Sequence, residues 1–393
     1  MTMRNRPRAG VVALAAVALT ATVLTGPARA SGDTAAGAAG HQNTQAAIEA
    51  AVAAGVPGVS AEARDSAGVW KSAVGVGNRA TGAPRGKSDR FRTGSITDTF
   101  VATVLLQMEA ERKLSLDDPV ERYLPGVVGG NGNDGGAITV RQLLNHTSGL
   151  FDYLADVSYY QTYTMGDSFL AHRYDTLTAQ QRLQVAFSHA PLFQPGARHA
   201  FSHTNDLLAA LIVQKVAGRP YEDEVRRRII GPLELKATSN PGTSSELPRP
   251  SSRGYSKLFY DTQPDRIDDV TDLNGSQNWG DGDIISSAHD LNLFYRALMG
   301  GKLLPAQQLK ELKTTVVNPD LPITSYGLGV EKLTLGCGDI WYHDGGVVGS
   351  LTLAAFTEDG RHQLTFNYNG DWDASGIVPI LNAEFCGQPS TSG

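Results

Sequence analysis

The sequence predicts a mixed α/β fold in which strands from both ends of the chain form one sheet and helices occupy the middle. Short β-type runs surround a turn within residues 59–76, similar runs return within residues 340–368, and the segment between them shows helical spacing of apolar residues. We therefore expect a sheet-containing lobe at residues 45–94 and 285–388, with a mainly helical lobe inserted at residues 95–284.

The first thirty residues have the pattern of a secretory signal peptide. Arg4, Arg6 and Arg8 precede a short apolar run of small residues, and Ala28-Arg29-Ala30 fits a cleavage site. A permanent membrane anchor is the weaker alternative, because the apolar run is short and rich in Thr and Ala. We expect a secreted, extracellular protein that has no membrane contact after cleavage.

The chain has an ordinary globular composition, since 41% of all residues are hydrophobic and 19% are charged. Acidic residues outnumber basic ones, 40 to 34. Residues 1–30 contain four arginines and no acid, so their removal changes the formal net charge from −6 to −10. Residues 31–44 form a loose leader and residues 389–393 a tail. The arginine run at residues 226–228 is flanked by acids, so we expect no nucleic-acid partner.

Local signals place secondary structure in order along the chain. At the N-terminal end we expect an Ala-rich helix and a hairpin around Asp65-Ser66-Ala67-Gly68, at residues 45–54, 59–64 and 69–76. Three helices follow in the middle, the last ended by Gly218 and Pro220, over residues 101–108, 139–145 and 206–217. At the C-terminal end we expect three strands and a closing helix, at residues 340–343, 351–356, 362–368 and 378–385.

Two cysteines, Cys337 and Cys386, lie near the C-terminus. An even pair in an exported chain predicts a disulfide, which would tie the C-terminal segment to the body. Closing a loop of about 50 residues is worth roughly 4 kcal/mol in the chain-entropy description. A catalytic or metal-binding thiol is the weaker alternative, because the sequence contains no C-x-x-C motif.

Ser95 precedes the first long helix and has two interpretations. It can be a helix N-cap, with Asp98 three residues later completing a capping box. It can also be a nucleophile at a helix N-terminus, where free N–H groups and the helix dipole stabilise developing negative charge. Both roles need the same local geometry, so other segments must distinguish them.

Four further segments, in this order and spacing, carry a resemblance to a known superfamily. They are Gln142-Leu143-Leu144-Asn145-His146-Thr147-Ser148-Gly149-Leu150, Pro195-Gly196-Ala197 before Phe201-Ser202-His203-Thr204-Asn205, Tyr326-Gly327-Leu328-Gly329, and His343-Asp344-Gly345-Gly346. Together with Arg92-Thr93-Gly94-Ser95-Ile96-Thr97, they resemble the serine β-lactamases and D-alanyl-D-alanine carboxypeptidases, from about residue 45 to residue 388. The resemblance implies an antiparallel sheet flanked by helices, with an all-helical subdomain. His146 is interpreted as a structural residue that anchors the turn after its helix.

The resemblance also implies covalent catalysis, but this sequence departs from the pattern. In that superfamily an S-x-x-K serine forms an acyl-enzyme, and its lysine shares the proton with the tyrosine of a Y-x-N motif. Here Asp98 stands at the lysine position, Phe201 at the tyrosine position and His203 at the asparagine position, whereas the H-x-G strand is kept from His343 to Gly345. The expected fold is unaffected, but the superfamily mechanism cannot operate unchanged.

We expect Ser95, Asp98 and His203 to lie within a few ångströms of each other, since their counterparts meet in the resembling proteins. One hypothesis is that His203 acts as base, Asp98 orients it and Ser95 attacks. A second is that His203 only binds Asp98 and nothing reacts. A third is acid–base catalysis by His203 or His343 without an acyl-enzyme.

The expected substrate pocket is acidic. Asp344 follows His343, Glu331 follows the Tyr326 segment, and Asp281 lies in a Gly-rich stretch. With Phe201, Gly345 and Gly346, these residues are the predicted substrate contacts. Like charges about 4 Å apart repel by roughly 4 kcal/mol at an effective dielectric near 20, so a neutral or amine-bearing substrate is favoured over a free carboxylate.

The sequence therefore predicts a secreted serine hydrolase or acyl-transfer enzyme with an altered catalytic set, acting on a small amide, peptide or ester. The alternatives are a catalytically silent binding protein and a recruited isomerase or cyclase that uses a His/Asp pair. We expect a monomer with a small-molecule or peptide substrate and no cofactor. A metal site formed by Asp98, His203 and His343 is the least favoured interpretation, and we assign no metal.

Overall fold

A computed structural model describes residues 40–387 of the chain. The predicted signal peptide, most of the predicted leader and the predicted tail lie outside these residues. Within them, no helix is both long enough and apolar enough to cross a bilayer.

The longer strands group at the two ends of the described chain, and most helices lie between them. The α-helices are α1 (Gln42–Ala53), α2 (Ile96–Ala110), α3 (Val120–Tyr123), α4 (Val140–Leu144), α5 (Val157–Thr164), α6 (Gly166–His172), α7 (Ala179–Phe187), α8 (His203–Ala217), α9 (Tyr221–Val225), α10 (Ala288–Met299), α11 (Ala306–Leu312) and α12 (Ile377–Cys386). The strands are β1 (Gly58–Asp65), β2 (Gly68–Asn78), β3 (Ala83–Pro84), β4 (Phe91–Arg92), β5 (Gly129–Gly130), β6 (Asn133–Asp134), β7 (Tyr255–Ser256), β8 (Asp268–Asp269), β9 (Ile285–Ser286), β10 (Val316–Val317), β11 (Thr324–Tyr326), β12 (Glu331–Leu335), β13 (Gly338–Val347), β14 (Ser350–Phe356) and β15 (Gln363–Tyr368). Short 3₁₀ or π turns lie at Tyr153–Ala155, Arg226–Ile230 and Gly275–Asn278.

Strands from both ends of the chain form one antiparallel sheet, as the sequence predicts. Its order within the described residues is β10-β11-β12-β13-β14-β15-β1-β2-β3, so the first strand pairs with the last. The β1–β2 hairpin turns where Asp65 Oδ1 accepts the backbone N–H groups of Ala67 and Gly68. The mixed α/β fold with an antiparallel sheet flanked by helices is therefore confirmed.

Two apolar cores lie on opposite faces of this sheet. On one face α1 and α12 pack through Ile48 and Ile380 against strand residues such as Phe366. On the other face α2, α8 and α10 form the larger core, which includes Phe100 and Phe294 with ring centroids 3.8 Å apart. The second core joins the sheet to the helical part and holds α2 in place below β13.

Several sequence predictions differ from the structure in detail. Helix α1 begins at Gln42, so the last residues of the predicted leader are helical, and the Thr44 hydroxyl donates a hydrogen bond to Glu384 of α12. Strands β10, β11 and β12 were not predicted, because they are short and follow a loop without clear alternation. The lobe boundaries at residues 94/95 and 284/285 remain a prediction.

A disulfide joins Cys337 to Cys386, whose Cα atoms are 5.5 Å apart. It connects the β12–β13 turn to the last residue of α12. Because α12 packs on the sheet face opposite the larger core, the bond fastens the C-terminal helix to the sheet at the β12–β13 turn.

Candidate active site

Ser95 lies at the N-terminus of α2, directly against the backbone of strand β13. Gly94 has a φ of +60°, and a Cβ atom there would lie 2.6 Å from the backbone nitrogen of Gly346. A Cβ atom at Gly345 would lie 2.6 Å from the backbone nitrogen of Ser95. Glycine at these positions lets the strand and the helix N-terminus approach closely. The predicted contact residues Gly345 and Gly346 are therefore beside Ser95.

The capping-box interpretation of Ser95 is wrong. Ser95 has helical dihedral angles, φ −63° and ψ −1°, and its side chain accepts no hydrogen bond from the first turn. An N-cap residue normally has extended dihedral angles that aim its oxygen at those N–H groups. The Asp98 carboxylate is not engaged either, since neither oxygen has a partner among the described residues.

Asp98 points into a buried cluster with His146 and Asp206. The side chain of Asp98 is 3% exposed, and one polar atom from each of the three residues lies within 4.8 Å of the other two. Burial raises the pKa of Asp98 well above its ordinary value, and the carboxylate of Asp206 raises it further. Asp98 is thus a carboxyl group that the protein itself does not compensate.

His203 does not join Asp98, so the predicted Ser95–His203–Asp98 triad is not formed. The Nδ1 atom of His203 lies 3.1 Å from Asp152 Oδ2, in a side-chain pair that links the first residue of α8 to the turn before Tyr153. The Thr204 hydroxyl donates to the Phe151 carbonyl and holds these two segments together. His203 therefore pairs with Asp152, whereas the acid that α8 brings to Asp98 is Asp206, one turn after His203.

The pairing with Asp152 changes the charge of His203. Burial lowers its pKa, but the charge and hydrogen bond of Asp152, together with the charges of Asp281 and Asp206, outweigh burial and raise the pKa to about 9. At neutral pH this ring is therefore an imidazolium, which cannot accept a proton from Ser95. The hypothesis that His203 is the general base conflicts with this arrangement.

We expect the His203–Asp152 pair to stabilise the fold below pH 6.5 and to lose this contribution as the pH rises through about 9. The raised pKa corresponds to stabilisation of the order of 3 kcal/mol. Urea unfolding at pH 6, 7.5 and 9.5 measures it, with His203→Gln as the comparison. The two proteins should differ most at pH 6, and an equal difference at all three pH values contradicts the assignment.

Both ring nitrogens of His343 also have hydrogen-bond partners. Its Nε2 atom lies 2.8 Å from the Tyr326 hydroxyl, and its Nδ1 lies 2.6 Å from the backbone carbonyl of Asp344. Because a carbonyl only accepts, Nδ1 carries the proton and the hydroxyl donates to Nε2. Burial lowers the pKa of His343 to about 4, so the ring is neutral. The alternative metal set of Asp98, His203 and His343 is therefore not assembled, since both imidazoles have other partners.

His146 and Phe201 form an aromatic wall beside the carboxylates. Their ring centroids are 4.2 Å apart, and the Tyr326 ring meets His146 edge-on at 4.7 Å. His146 was predicted to anchor the turn after its own helix; its Nδ1 accepts the backbone N–H of Ser202, so it ties that turn to the segment before α8. Phe201 brings no exchangeable proton to the wall.

The remaining predicted acids lie around the same point but differ in their surroundings. Burial and then the charge of Asp344 raise the pKa of Glu331 to about 8, while Tyr342 donates a hydrogen bond to it. Burial raises the pKa of Asp344 to about 6. Asp281 is not a free pocket acid, because it pairs with the fully buried Arg182.

Sequence reasoning missed Asp152, Asp206, Tyr326 and Arg182 as members of this site. Asp206 was within reach, because it follows His203 by three residues on α8 and therefore lies on nearly the same helix face. Tyr326 lies in a motif segment that carries the resemblance but was not assigned to the site, whereas Asp152 and Arg182 come from distant segments without a local signal. The assembled site offers a serine at a helix N-terminus, an apolar wall and a surplus of carboxylates.

Comparison with known proteins places this site in context. The family described as Beta-lactamase matches residues 44–371. A solved D-stereospecific amidohydrolase from Streptomyces sp. is 50% identical, with a TM-score of 0.83 over 88% of this chain and 99% of that chain.

Two curated relatives match shorter stretches. A penicillin-binding protein of Bacillus subtilis (strain 168) is 28% identical over 75% of this chain and 63% of its own length. The esterase EstB of Burkholderia gladioli is 31% identical over 54% of this chain and 52% of its own length. The chain thus matches between half and two thirds of the length of each of these two curated relatives.

Proposed function

This chain belongs to the β-lactamase family, and from that premise we propose that it hydrolyses a small amide, peptide or ester that carries a protonated amine. In this proposal Ser95 is the residue that becomes acylated. The similar proteins include hydrolases, among them the D-stereospecific amidohydrolase and the esterase, which supports hydrolysis as the function. The altered catalytic set, the acyl-enzyme and the preference for an amine belong to the proposal.

The placement of Ser95 is the observation that carries the proposal. Its hydroxyl lies at the first turn of a fifteen-residue helix that packs against the glycines of β13. Backbone N–H groups at a helix N-terminus stabilise the oxyanion that forms when a hydroxyl attacks a carbonyl. This placement supports stabilisation of the oxyanion by backbone N–H groups beside Ser95.

The surplus of carboxylates supports an amine-bearing substrate. The charges of Asp206, Asp281, Asp344 and Glu331 all act on Asp98, and only Asp281 has a buried arginine beside it. Because burial and mutual repulsion raise the pKa values of Asp98 and Glu331, a further carboxylate is disfavoured here, whereas an ammonium would favour the ionised form of these acids. The similarity to a D-stereospecific amidohydrolase favours amides, and the preference for an amine then makes amino-acid amides the first substrates to test.

We expect Ser95→Ala to lower kcat/KM for an amino-acid amide by at least about 1,000-fold, because it removes the nucleophile. The panel comprises D- and L-alaninamide, their N-acetyl derivatives and the dipeptide D-alanyl-D-alanine. The exposed turn residue Ser66, changed to Ala, is the matched control. Equal turnover by the Ser95→Ala and wild-type proteins contradicts the proposal.

A second candidate function is ligand binding without turnover. One observation favours it. The two histidines predicted as catalytic partners of Ser95 already have other partners, since His203 pairs with Asp152 and His343 accepts a hydrogen bond from Tyr326. Intact mass after incubation with a fluorescent penicillin or an activated ester distinguishes the two. An adduct that Ser95→Ala abolishes supports hydrolysis, and saturable binding without any adduct supports the silent protein.

Export and a monomeric state are part of the proposal. The arginine-led apolar segment at residues 4–26 and the disulfide both suit an oxidising extracellular compartment. N-terminal sequencing of secreted protein and light scattering of the purified protein measure the two properties directly.

A further inference from the structure

A group of buried polar atoms beside Ser95 has no partner among the described residues. Both oxygens of Asp98, Oδ2 of Asp206 and Nε2 of His146 make no hydrogen bond, and the three residues are 3%, 4% and 1% exposed. Buried polar atoms are nearly always satisfied in folded proteins, so a set of four in one place indicates a missing binding partner.

The hydrogen bonds of His146 determine what this partner is. Its Nδ1 accepts the backbone N–H of Ser202 at 3.2 Å and the amide of Asn205 at 3.0 Å. The Asn205 amide is oriented because its Oδ1 accepts the Ser148 hydroxyl at 2.6 Å. The neutral ring therefore carries its proton on Nε2, which faces Asp206 Oδ1 at 3.8 Å.

A protonated Nε2 has no lone pair for a metal ion. Histidines that bind metals donate a hydrogen bond from the other ring nitrogen, whereas His146 accepts two bonds there. The cluster resembles a metal site by residue type, but its hydrogen bonding leaves only the two carboxylates as acceptors. Asp206 Oδ1 faces the imidazole, so Asp98 Oδ1, Asp98 Oδ2 and Asp206 Oδ2 remain.

These three acceptors match the three N–H donors of a primary ammonium. The cluster atoms lie within 4.8 Å of one another. Because an oxygen of Asp98 and an oxygen of Asp206 lie within 4.8 Å of each other, one ammonium nitrogen can lie about 2.8 Å from both, which is the length of a charge-assisted N–H···O hydrogen bond.

The charge of the surroundings agrees with a cationic occupant. The imidazolium of His203 is paired with Asp152, and Arg182 is paired with Asp281. Neither cation contacts Asp98, whose charged neighbours named above are all carboxylates. A bound monovalent cation would favour the ionised form of Asp98, whose oxygens have no partner among the described residues.

We propose that Asp98 and Asp206 form a binding site for a protonated primary amine beside the Ser95 hydroxyl. The amine belongs either to the substrate or to a free small amine, and the chemistry of recognition is the same. The inference concerns binding, so it holds whether or not Ser95 turns over.

The test uses Ser95→Ala protein, in which turnover cannot contribute, and measures binding of methylammonium chloride by calorimetry and thermal unfolding. Tetramethylammonium, which has the charge but no N–H group, is the ligand control. We expect methylammonium to bind and to raise Tm, and tetramethylammonium to do neither. Adding Asp98→Asn or Asp206→Asn should weaken binding by roughly 10- to 100-fold, the loss expected for a charge-assisted hydrogen bond.

The exposed acid Glu246, changed to Gln, is the matched control for loss of one negative charge and should leave the affinity unchanged. Alaninamide and N-acetylalaninamide distinguish the sources: tighter binding of alaninamide than of methylammonium assigns the site to the substrate, and equal binding assigns it to a free amine. Two outcomes overturn the proposal. One is binding of Mn²⁺ or Zn²⁺ in place of amines, and the other is no binding of any cation, which would leave an ordered water as the occupant.

Discussion

The combined change Asp98→Lys, Phe201→Tyr and His203→Asn is expected to raise the rate of Ser95 acylation by roughly 100- to 10,000-fold, the range that a positioned proton acceptor contributes. It restores the S-x-x-K and Y-x-N residues that the resemblance implies. In the present protein these positions hold an uncompensated carboxyl, a ring without an exchangeable proton and an imidazolium paired to Asp152.

The structure indicates that the restored side chains would meet. His146 lies in the cluster with Asp98 and also stacks on Phe201 with centroids 4.2 Å apart, so positions 98 and 201 face the same space. A lysine at position 98 would also gain Asp206 as a counter-ion. The rest of the site, from Ser95 to the glycines of β13, is unchanged.

Time-resolved intact mass with a fluorescent penicillin and with an activated ester measures this acylation rate. The matched control carries the same changes at 201 and 203 but Asp98→Met, which supplies a side chain of similar length without the amine. Ser95→Ala in the restored background should give no adduct. If the restored protein folds normally and acylates no faster than wild type, the altered residues are not what limits Ser95.

Arg182→Met is expected to lower the free energy of unfolding by about 3–5 kcal/mol, the largest stability loss we anticipate for a single residue of the site. The Arg182 side chain is fully buried and donates to Asp281 and to the backbone carbonyls of Gln277 and Trp279. Tyr153 donates to the same carboxylate of Asp281. Removing the guanidinium leaves that carboxylate buried without its cation.

Urea unfolding at pH 7 measures the loss, and Arg226→Met is the matched control. The Arg226 side chain is 69% exposed and pairs with Asp223 on the surface, so its removal should cost at most about 1 kcal/mol. Adding Asp281→Asn to Arg182→Met should recover part of the stability, because the unpaired charge is then gone. A loss below 1 kcal/mol for Arg182→Met contradicts the described pairing.

Much of the scaffold follows from local signals in the sequence. The β1–β2 hairpin, the strands β13 to β15 and the helices α2, α8 and α12 lie within a few residues of their predicted positions, because apolar spacing and turn residues act over short distances. Strands β10 to β12 escaped prediction, since short strands in a sheet are defined by their neighbours rather than by their own residues.

The candidate site was predicted only in part. The motif segments placed Ser95, Phe201, Gly345 and the acids in one region, and the structure brings them around the N-terminus of α2. The expected pairing of His203 with Asp98 was wrong, because the imidazole turns to Asp152, a residue 51 positions away in the chain. Asp281 was expected as a free pocket acid, but its carboxylate forms an ion pair with Arg182 from α7.

The sequence by itself determined the main strands at both ends of the chain and the long helices between them, the disulfide pair, and the presence of a serine at a helix start with a carboxylate one turn later. Only the tertiary structure decided which carboxylate the His203 ring meets, which acid keeps a cation, and which acids are left without one. The physical reason is that apolar periodicity fixes an element locally, whereas the direction and partner of a buried polar side chain depend on segments that fold against it from elsewhere in the chain.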